Sequence, residues 1–286
     1  MSELVGDERN ADQIAYWNEA AGARWAKHQE TLDVLLAPLA EAALARAEVR
    51  PGERVVDIGC GCGATLLLLA ERVGREGKVL GIDISAPMLA RAAERLAKGA
   101  PVELVRADAT IHRFPRAGFD LLFSRLGVMF FAEPARAFAN LRTALRPGGR
   151  LHFVAFRTAR ENPWMMVPLH AAYEHVPRLP PSDPDDPGPF AFGSEARVRR
   201  ILGEAGFEEI ALAPYDLELD LATGKGLDAA VEAALEVGVT NRAVAGQPPE
   251  LRRAATASIR AALLPFERGS TVPLPAAAWL VSAASA

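Results

Sequence analysis

The feature that most constrains the fold is the run from Glu53 to Gly63, which reads ERVVDIGCGCG. Its first half is a β-branched apolar stretch, and its second half places glycines at positions 59, 61 and 63. The leucine-rich residues that follow, 64–70, suit a helix with one face against a sheet. A strand, a glycine turn and a helix in this order bring bare backbone N–H groups and the positive end of a helix up to a ligand. Glycine suits the turn because it lacks a Cβ and adopts positive φ at little cost.

Strand-like and helix-like segments alternate after this turn, and Pro147-Gly148-Gly149 is expected to lead into the fifth strand. Such alternation predicts an α/β fold with a Rossmann-like, mostly parallel sheet of seven strands and helices on both faces. Strands are predicted at 55–58, 78–84, 102–107, 119–123, 150–156, 207–219 and 271–283, and helices at 64–73, 86–98, 134–145, 194–205, 227–237 and 250–264.

The segments before and after these strands and helices are predicted to complete a single compact domain. Residues 1–50 predict an N-terminal helical cap, with one or two short helices at 14–30 and a helix at 32–48. Residues 51–156 predict the ligand-binding core. Residues 157–193 carry five prolines between positions 180 and 189, too many for a helix or a central strand. This segment is predicted to be a lid inserted after the fifth strand. Residues 194–286 are expected to complete the sheet.

Composition and charge limit the kinds of partner expected for this protein. The chain has 286 residues and a net charge of −4, its basic residues are scattered, and no apolar run reaches membrane-spanning length. We therefore expect no nucleic acid and no membrane insertion, but a small-molecule partner and a monomer or homodimer. The polar N-terminus does not resemble a secretory signal, and Cys60 and Cys62 are too close for a good disulfide. Reduced thiols and a cytoplasmic location are predicted.

The glycine turn alone fits the dinucleotide fingerprint G-x-G-x-x-G/A, so an NAD(P)-dependent oxidoreductase is one interpretation. Asp83 ends the second strand about 20 residues later, where an acid binds ribose hydroxyls. Asp57, just before the turn, would repel a pyrophosphate but suits an ammonium group. Asp108 adds an acid after the third strand. A ligand with ribose, an adenine amine and a cationic amino-acid end meets these carboxylates, and S-adenosylmethionine has all three.

The ordered motifs VVDIGCGCG, GIDIS, RADA, FDLLFSRLGVMFF and LRPGGRL resemble the class I S-adenosylmethionine-dependent methyltransferases, most of all the small-molecule branch with the ubiquinone and menaquinone enzymes. The resemblance implies a cofactor site. The glycines would line the methionine and ribose, Asp57 would hold the amino group, Asp83 the ribose and Asp108 the adenine amine. The full set implied is Tyr16, Trp25, Asp57, Gly59, Cys60, Gly61, Gly63, Asp83, Ile84, Met88, Ala107, Asp108, Ala109, Ser124 and Arg125. Cys62 departs from the Thr or small polar residue common in relatives.

No single catalytic group is demanded, because methyl transfer from a sulfonium depends mainly on placing the acceptor in line and excluding water. His28, His170, His175 and Arg125 are the weak candidates, and each histidine could equally be a surface residue. His152 reads as a core or rim histidine. Two thiolates without Cys or His partners nearby do not complete a four-ligand site, so no metal is predicted.

Aromatic residues cluster in the cap and the predicted lid as Tyr16, Trp17, Trp25 and Trp164. They either pack the cap onto the core or form a wall that favours the sulfonium through cation–π contact.

The expected activity is methyl transfer to an O, N or C atom of a small, partly apolar acceptor. The Ser124-Arg125-Leu126-Gly127 stretch lacks the Asn/Asp-Pro-Pro-aromatic motif of enzymes that methylate amino groups of DNA or of protein glutamine. No catalytic cysteine lies outside the glycine turn. An S-adenosylmethionine-binding protein that transfers no methyl group is the other alternative.

Overall fold

The computed structural model describes residue 4, residues 6–181, residue 183 and residues 185–285. Parts of two predicted segments, positions 1–3 and 5 of the polar N-terminus and positions 182 and 184 of the lid, lie outside the described residues, as does position 286. The strands are β1 (Arg54–Ile58), β2 (Lys78–Asp83), β3 (Val102–Arg106), β4 (Phe119–Arg125), β5 (Leu145–Phe156), β6 (Glu208–Asp220) and β7 (Pro273–Ala284).

These strands form one sheet in the order β3-β2-β1-β4-β5-β7-β6. The first five are parallel, and β7 lies antiparallel between β5 and β6. The predicted seven-stranded, mostly parallel sheet is therefore confirmed. In register, β1 lies between β2 and β4, with Val56 opposite Leu80 on one side and Leu122 on the other.

Helices pack on both faces of the sheet. They are α1 (Ala11–Asn18), α2 (Ala20–Lys27), α3 (Gln29–Ala47), α4 (Ala64–Val73), α5 (Ala86–Arg95), α6 (Pro134–Arg142), α7 (Pro163–Ala172), α8 (Glu195–Glu204), α9 (Leu227–Glu236), α10 (Val239–Val244) and α11 (Pro249–Leu263). Within the described ranges, no helix is long and apolar enough to cross a membrane.

The sequence explains several helix ends. The Ser85 hydroxyl accepts a hydrogen bond from the N–H of Met88 at the start of α5, and Ser194 caps α8 in the same way. The α4 helix begins directly after Gly63, which has φ of +84°. Pro38 lies inside α3 without ending it.

The central strands are buried on both sides. Val55 and Val56 of β1 and Leu121, Leu122 and Phe123 of β4 have no solvent exposure. Strands covered by helices on both faces are expected to be continuously apolar, and these are. A carboxylate in such a strand, like Asp57, therefore needs a specific reason.

Two local expectations are wrong, and one helix was not predicted. Pro147-Gly148-Gly149 does not precede β5 but lies within it as a bulge, since Phe119 pairs with Leu145 and Leu121 already pairs with Arg150. Residues 157–193 are not all loop, because α7 forms at their start. The short α10 was not predicted, although Gly238, with φ of +76°, marks its beginning.

At the amino end of β1, Arg150 forms a closed ion-pair cluster. Its guanidinium donates to both carboxylate oxygens of Glu53, at 2.8 and 2.9 Å, and to the carbonyls of Ala47 and Glu48 at the end of α3. Burial raises the pKa of Glu53, but the hydrogen bonds from Arg150 and the Arg50 N–H outweigh it and leave that pKa below its usual value. This cluster ties the N-terminal helices to the sheet.

Candidate functional site

A cavity of about 410 Å³ opens at the carboxyl ends of the parallel strands. Its walls come from the turn after β1, from the ends of β2, β3 and β4, and from α1, α2, α3 and α7 with the segments at 187–189 and 237–239. The strands β2 and β3 follow on one side of β1, and the chain then crosses to β4 on its other side. Ligands bind in open parallel sheets at such a reversal of strand order.

The glycine turn fits tightly at the floor of this cavity. Gly59 and Gly61 line the cavity with φ of +67° and +54°, and a Cβ on Gly59 would lie 2.7 Å from the Cα of Gly127. At these two positions only glycine gives both the conformation and the space. Gly63, predicted to bind the ligand, does not line the cavity. It starts α4 and packs against Ala92.

Asp83 lies at the end of β2 with its side chain on the cavity wall. One oxygen accepts the N–H of Gly61 and the other the N–H of Ser85, each at 2.8 Å. Desolvation raises the pKa of Asp83, and these N–H groups oppose that shift. Since a carboxylate has about four acceptor sites, capacity remains for two hydroxyls. The predicted neighbours Ile84 and Met88 line the same wall.

Asp57 is fully buried beneath the turn and does not line the cavity. The Thr65 hydroxyl donates to its Oδ2 at 2.6 Å, whereas its Oδ1 has no hydrogen-bond partner in the described chain. Burial raises the pKa of Asp57 to about 7, more than Thr65 and the distant Arg125 charge lower it. The carboxylate is thus held in place with one oxygen unsatisfied.

Asp108 is both a cavity residue and an anchor for the N-terminal segment. Its Oδ2 accepts from the Asp7 N–H at 3.0 Å and from the Asn10 amide at 3.1 Å, and its Oδ1 accepts from the Thr110 N–H at 2.9 Å. The Asn10 Oδ1 is left buried without a partner in the described structure. Ala107 and Ala109 line the cavity beside it.

Two cavity residues in this region, Asn10 and Gln13, were missed from the sequence. They sit in a polar stretch with no recognisable motif. Only the fold shows that α1 brings them to the end of β3.

Ser124 and Arg125 end β4 but have different surroundings. Ser124 is fully buried, and its hydroxyl donates to the Ile58 carbonyl at 2.7 Å and accepts from the Gly127 N–H. Contrary to the prediction, Ser124 does not line the cavity. Its hydrogen bonds hold β4 to β1. The Arg125 side chain does line the cavity.

Aromatic and aliphatic side chains cover the other half of the cavity. Trp17 packs edge-on against Tyr16, Trp25 and Phe130, at ring distances of 5.2, 5.7 and 5.1 Å. The predicted aromatic residues Tyr16, Trp17, Trp25 and Trp164 all line the cavity. The remaining apolar cover comes from Leu32, Leu36, Phe130, Phe131, Phe156, Met165, Pro187, Pro189, Val237 and Val239.

The candidate histidines are not in this cavity. His28 lies with its Nε2 3.6 Å from a Glu236 oxygen, His170 is exposed on α7, and the His175 Nε2 is 2.8 Å from the Ser258 hydroxyl. His152 lies in β5, where burial and nearby arginines lower its pKa to about 4. The described cavity wall therefore contains no imidazole.

Cys60 and Cys62 are buried in the turn and both line the cavity. Burial raises the pKa of Cys60 well above its usual value and that of Cys62 to about 12. Both thiols therefore stay protonated and unreactive at neutral pH.

The geometry fits the three polar parts of the predicted ligand. The narrow glycine floor admits a ligand against the backbone, Asp83 can accept from ribose hydroxyls, and Asp108 lies in the cavity wall where an adenine amine could approach it. Asp57, beneath the turn and outside the cavity wall, adds an unsatisfied carboxylate oxygen that favours an ammonium group nearby. The apolar half offers room for a second molecule.

Comparison with known proteins supports the same ligand. Residues 55–149 match the family model described as a methyltransferase domain. The chain is 29% identical over 175 residues to the ubiquinone/menaquinone biosynthesis C-methyltransferase of Xanthomonas axonopodis pv. citri, covering 57% of this chain and 69% of that protein.

Among solved structures, phosphoethanolamine N-methyltransferase 2 of Haemonchus contortus, in complex with S-adenosyl-L-methionine, superposes with a TM-score of 0.58 at 18% identity. The match covers 95% of this chain and 59% of that one, and it shows a shared fold. A nearer relative in sequence is the nocamycin O-methyltransferase of Saccharothrix syringae, 34% identical over 202 residues, or 66% of this chain and 71% of that enzyme. On that identity and coverage, the chain belongs to the S-adenosylmethionine-dependent methyltransferases, and S-adenosylmethionine is its cofactor.

Proposed function

We propose that this enzyme transfers the methyl group of S-adenosylmethionine to a small, partly apolar organic acceptor by in-line displacement. The observation that carries the proposal is the division of one cavity into two halves. The polar half consists of carboxylates and glycines at the carboxyl ends of β1, β2 and β3, and the apolar half of aromatic and aliphatic side chains from α1, α2, α3 and α7 and from the segments after β4 and α9.

In the polar half, Asp83 accepts from the ribose hydroxyls while Gly61 and Ser85 hold its carboxylate in place. Asp57 receives the ammonium group, directly or through water. Ile84 and Met88 pack against the adenine, and Asp108 with Ala109 borders its amine. When bound, the cofactor supplies a methyl group on a sulfonium, which is a good leaving group.

In the apolar half, the chain's own residues orient the acceptor and exclude water. Residues 1–50 and 157–193 provide walls over the cofactor-binding core of 51–156, through Trp17, Trp25, Trp164 and Pro187. Aromatic faces also stabilise the positive charge that is present before transfer. Positioning and desolvation of this kind supply much of the rate of a displacement reaction.

The names of the relatives do not identify the acceptor atom. One is named an O-methyltransferase and another a C-methyltransferase, so the acceptor atom varies among similar chains. What these names share is a small-molecule product, which agrees with the size of the cavity.

Asp83→Asn tests the cofactor half. Loss of a charged acceptor for two hydroxyls should weaken S-adenosylhomocysteine binding by about 1–3 kcal/mol, measured by isothermal titration calorimetry. The matched control is Glu76→Gln, which makes the same chemical change at an exposed site. Equal affinity in wild type and Asp83→Asn would show that the ribose lies elsewhere.

Transfer itself is tested with S-adenosylmethionine labelled in its methyl group and a panel of aromatic and aliphatic acids, phenols and amines. Label should appear in an acceptor. Tight NADH binding without S-adenosylhomocysteine binding would instead indicate an oxidoreductase, and cofactor binding with no labelled product would indicate a binding protein.

A further inference from the structure

We propose that the acceptor reaches the enzyme as an oxygen anion, a carboxylate or an acidic enol or phenol, and that Arg125 binds it. This inference rests on the proposed methyl transfer and names the acceptor class of the same site. Four features of the cavity support it.

Arg125 lies where the two halves of the cavity meet. It is the last residue of β4, the strand next to β1, and its side chain lines the cavity. Leu126 follows with φ of +64°, a left-handed conformation that Leu rarely adopts. The turn is held by the hydrogen bond from the Leu126 N–H to the Val154 carbonyl and by that from the Gly127 N–H to Ser124. The backbone that carries Arg125 is therefore fixed.

The guanidinium of Arg125 has no protein partner in the part of the chain that the structure describes. Its Nη1 is buried without a hydrogen bond, and no ion pair joins it to a described carboxylate. Burial lowers its pKa, and the more distant Asp33 and Asp57 charges only partly oppose this. Arg125 is partly buried, and a buried donor such as its Nη1 is unfavourable unless a ligand supplies an acceptor.

The nearest candidate partners bind other groups. Asp33 is bound by Arg95 at 2.6 Å and by the Gln29 amide at 2.5 Å. Asp57 accepts from Thr65 and remains below the turn. Arg95 also donates to the Cys62 carbonyl at 2.6 Å, so it is a structural arginine. Arg125, by contrast, is left free to face the cavity.

The apolar half also lacks a group suited to remove a proton from a neutral acceptor. No histidine lines the described wall. Of the carboxylates beside the apolar cover, Asp12 is exposed on α1, and Asp33 is already bound by Arg95 and Gln29. Arg24 also lines the cavity, and Arg242 lines it with its guanidinium 5.9 Å from the centre of the Tyr16 ring, so the wall holds two further cations. An acceptor that is already ionised needs no base. Arginine favours that form because its planar fork matches a carboxylate.

The reaction then balances without proton transfer. An acceptor oxygen forms a bond to the methyl carbon as the carbon–sulfur bond breaks. The electron pair of that bond stays on sulfur, which leaves as a neutral thioether, and the anion becomes a neutral ester or ether. Since both charges vanish, the apolar wall favours the products.

The carboxylate of the cofactor's own methionine is the other anion that could reach Arg125. Binding of S-adenosylhomocysteine and of 5′-methylthioadenosine, which lacks the amino-acid end, separates the two sources. We expect Arg125→Gln to bind each within about twofold of wild type. A tenfold loss for S-adenosylhomocysteine but not for methylthioadenosine would assign Arg125 to the cofactor and overturn the proposal.

Binding of acceptor-like ligands is measured on protein saturated with S-adenosylhomocysteine. Three matched pairs of ligands are used: benzoic, 2-naphthoic and anthracene-2-carboxylic acid, each with its carboxamide. In wild type, at least one acid should bind about ten- to hundredfold more tightly than its amide by calorimetry. Arg125→Gln should lose this preference and Arg125→Lys should keep part of it, whereas the exposed control Arg253→Gln should retain it. No preference for the acid in any pair, absence of binding included, contradicts the proposal.

Two readouts complete the test. Because Arg125 has no described partner, Arg125→Gln should unfold in urea at the same concentration as wild type or higher, and a large loss of stability would show a structural partner instead. If wild type does not bind S-adenosylhomocysteine at all, the proposed function fails. If it binds but shows no preference for acids, only the present inference fails.

Discussion

An arginine and a carboxylate lie at each end of the central sheet, but they form an ion pair at one end and not at the other. At the amino end of β1, Arg150 and Glu53 form a two-pronged ion pair, and the remaining donors of the arginine reach the carbonyls of α3. At the carboxyl end, Arg125 and Asp57 lie on neighbouring strands, yet no ion pair joins them and each keeps an unsatisfied buried atom.

This difference separates a structural cluster from a binding site. Where an arginine and a carboxylate only hold helices to the sheet, every polar atom is paired, as expected when no ligand has to fit. Where a ligand has to bind, the same residue types are held apart by the glycine turn and by Thr65. Unsatisfied groups are unfavourable for folding and favourable for binding, and they are found at functional sites.

The largest effect on folding is expected at the amino end. Arg150→Met leaves the Glu53 carboxylate buried without a cation and removes the hydrogen bonds to α3. Because 24% of the Arg150 side chain is exposed, the low end of the range for broken buried pairs applies, about 3 kcal/mol lost from the free energy of unfolding. Urea denaturation at pH 7 measures it, with Arg253→Met as the exposed control.

The pH dependence of this loss has a defined sign. The folded pKa of Glu53 is lowered, so its contribution is present above the unfolded pKa of about 4.5 and is lost as the pH falls below that value. The difference between wild type and Arg150→Met should therefore shrink on acidification below about pH 4.5. A difference that grows instead would contradict the role given to this pair.

A smaller and opposite effect is expected at the carboxyl end. Asp57→Asn removes a buried charge that lacks a partner, and it should stabilise the ligand-free protein by about 2 kcal/mol at pH 8. The rise of the Asp57 pKa to about 7 would by itself predict a larger stabilisation. The amide that replaces the carboxylate, however, leaves its own polar atom unpaired, which reduces the gain. The same variant should bind S-adenosylhomocysteine more weakly. Denaturation and calorimetry on one preparation measure both.

The pH dependence of the contribution of Asp57 to the free energy of unfolding is opposite in sign to that of Glu53. Its folded pKa lies above the unfolded value of 3.8, so its contribution is greatest below pH 3.8 and is lost as the pH rises to about 7. In wild type the free energy of unfolding should fall relative to Asp57→Asn between pH 5 and 8. Parallel pH profiles would mean that Asp57 is not buried as a charge.

The smallest change is Thr65→Val, which keeps the volume but removes the hydroxyl that donates to Asp57. Leaving that oxygen unpaired should lower the free energy of unfolding by about 1 kcal/mol at pH 8. In the Asp57→Asn background the loss caused by Thr65→Val should be smaller than in wild type, because the two residues are in contact. Additive effects would show that Thr65 acts elsewhere.

Local sequence signals were enough for most of the fold. The alternation of strands and helices predicted the sheet, and the helices expected to begin at 86 and 194 begin within one residue of those positions, where Ser85 and Ser194 cap α5 and α8. Composition around Pro147 could not reveal the bulge, because a Pro-Gly-Gly stretch is equally typical of a turn and of a break in strand pairing.

The site was predictable where a motif fixes the backbone and unpredictable where distant segments meet. Gly59, Gly61 and Asp83 follow from the first two strands, and they line the cavity as expected. Asn10 and Val239 line it too, but their positions depend on how α1 and α10 pack across the sheet. The resemblance to the methyltransferases implied that Ser124 belongs to the cofactor site, whereas the observed packing leaves it facing β1.

The place of β7 in the sheet has a consequence for how the chain acquires its structure during synthesis. Residues 273–284 are made after the other six strands, yet they pair with β5 on one side and β6 on the other. Until they leave the ribosome, β5 presents an open edge and β6 has no neighbouring strand. Open edges of this kind pair readily with other chains. A nascent chain that stalls before position 273 can therefore already contain the glycine turn while still exposing two strands to aggregation.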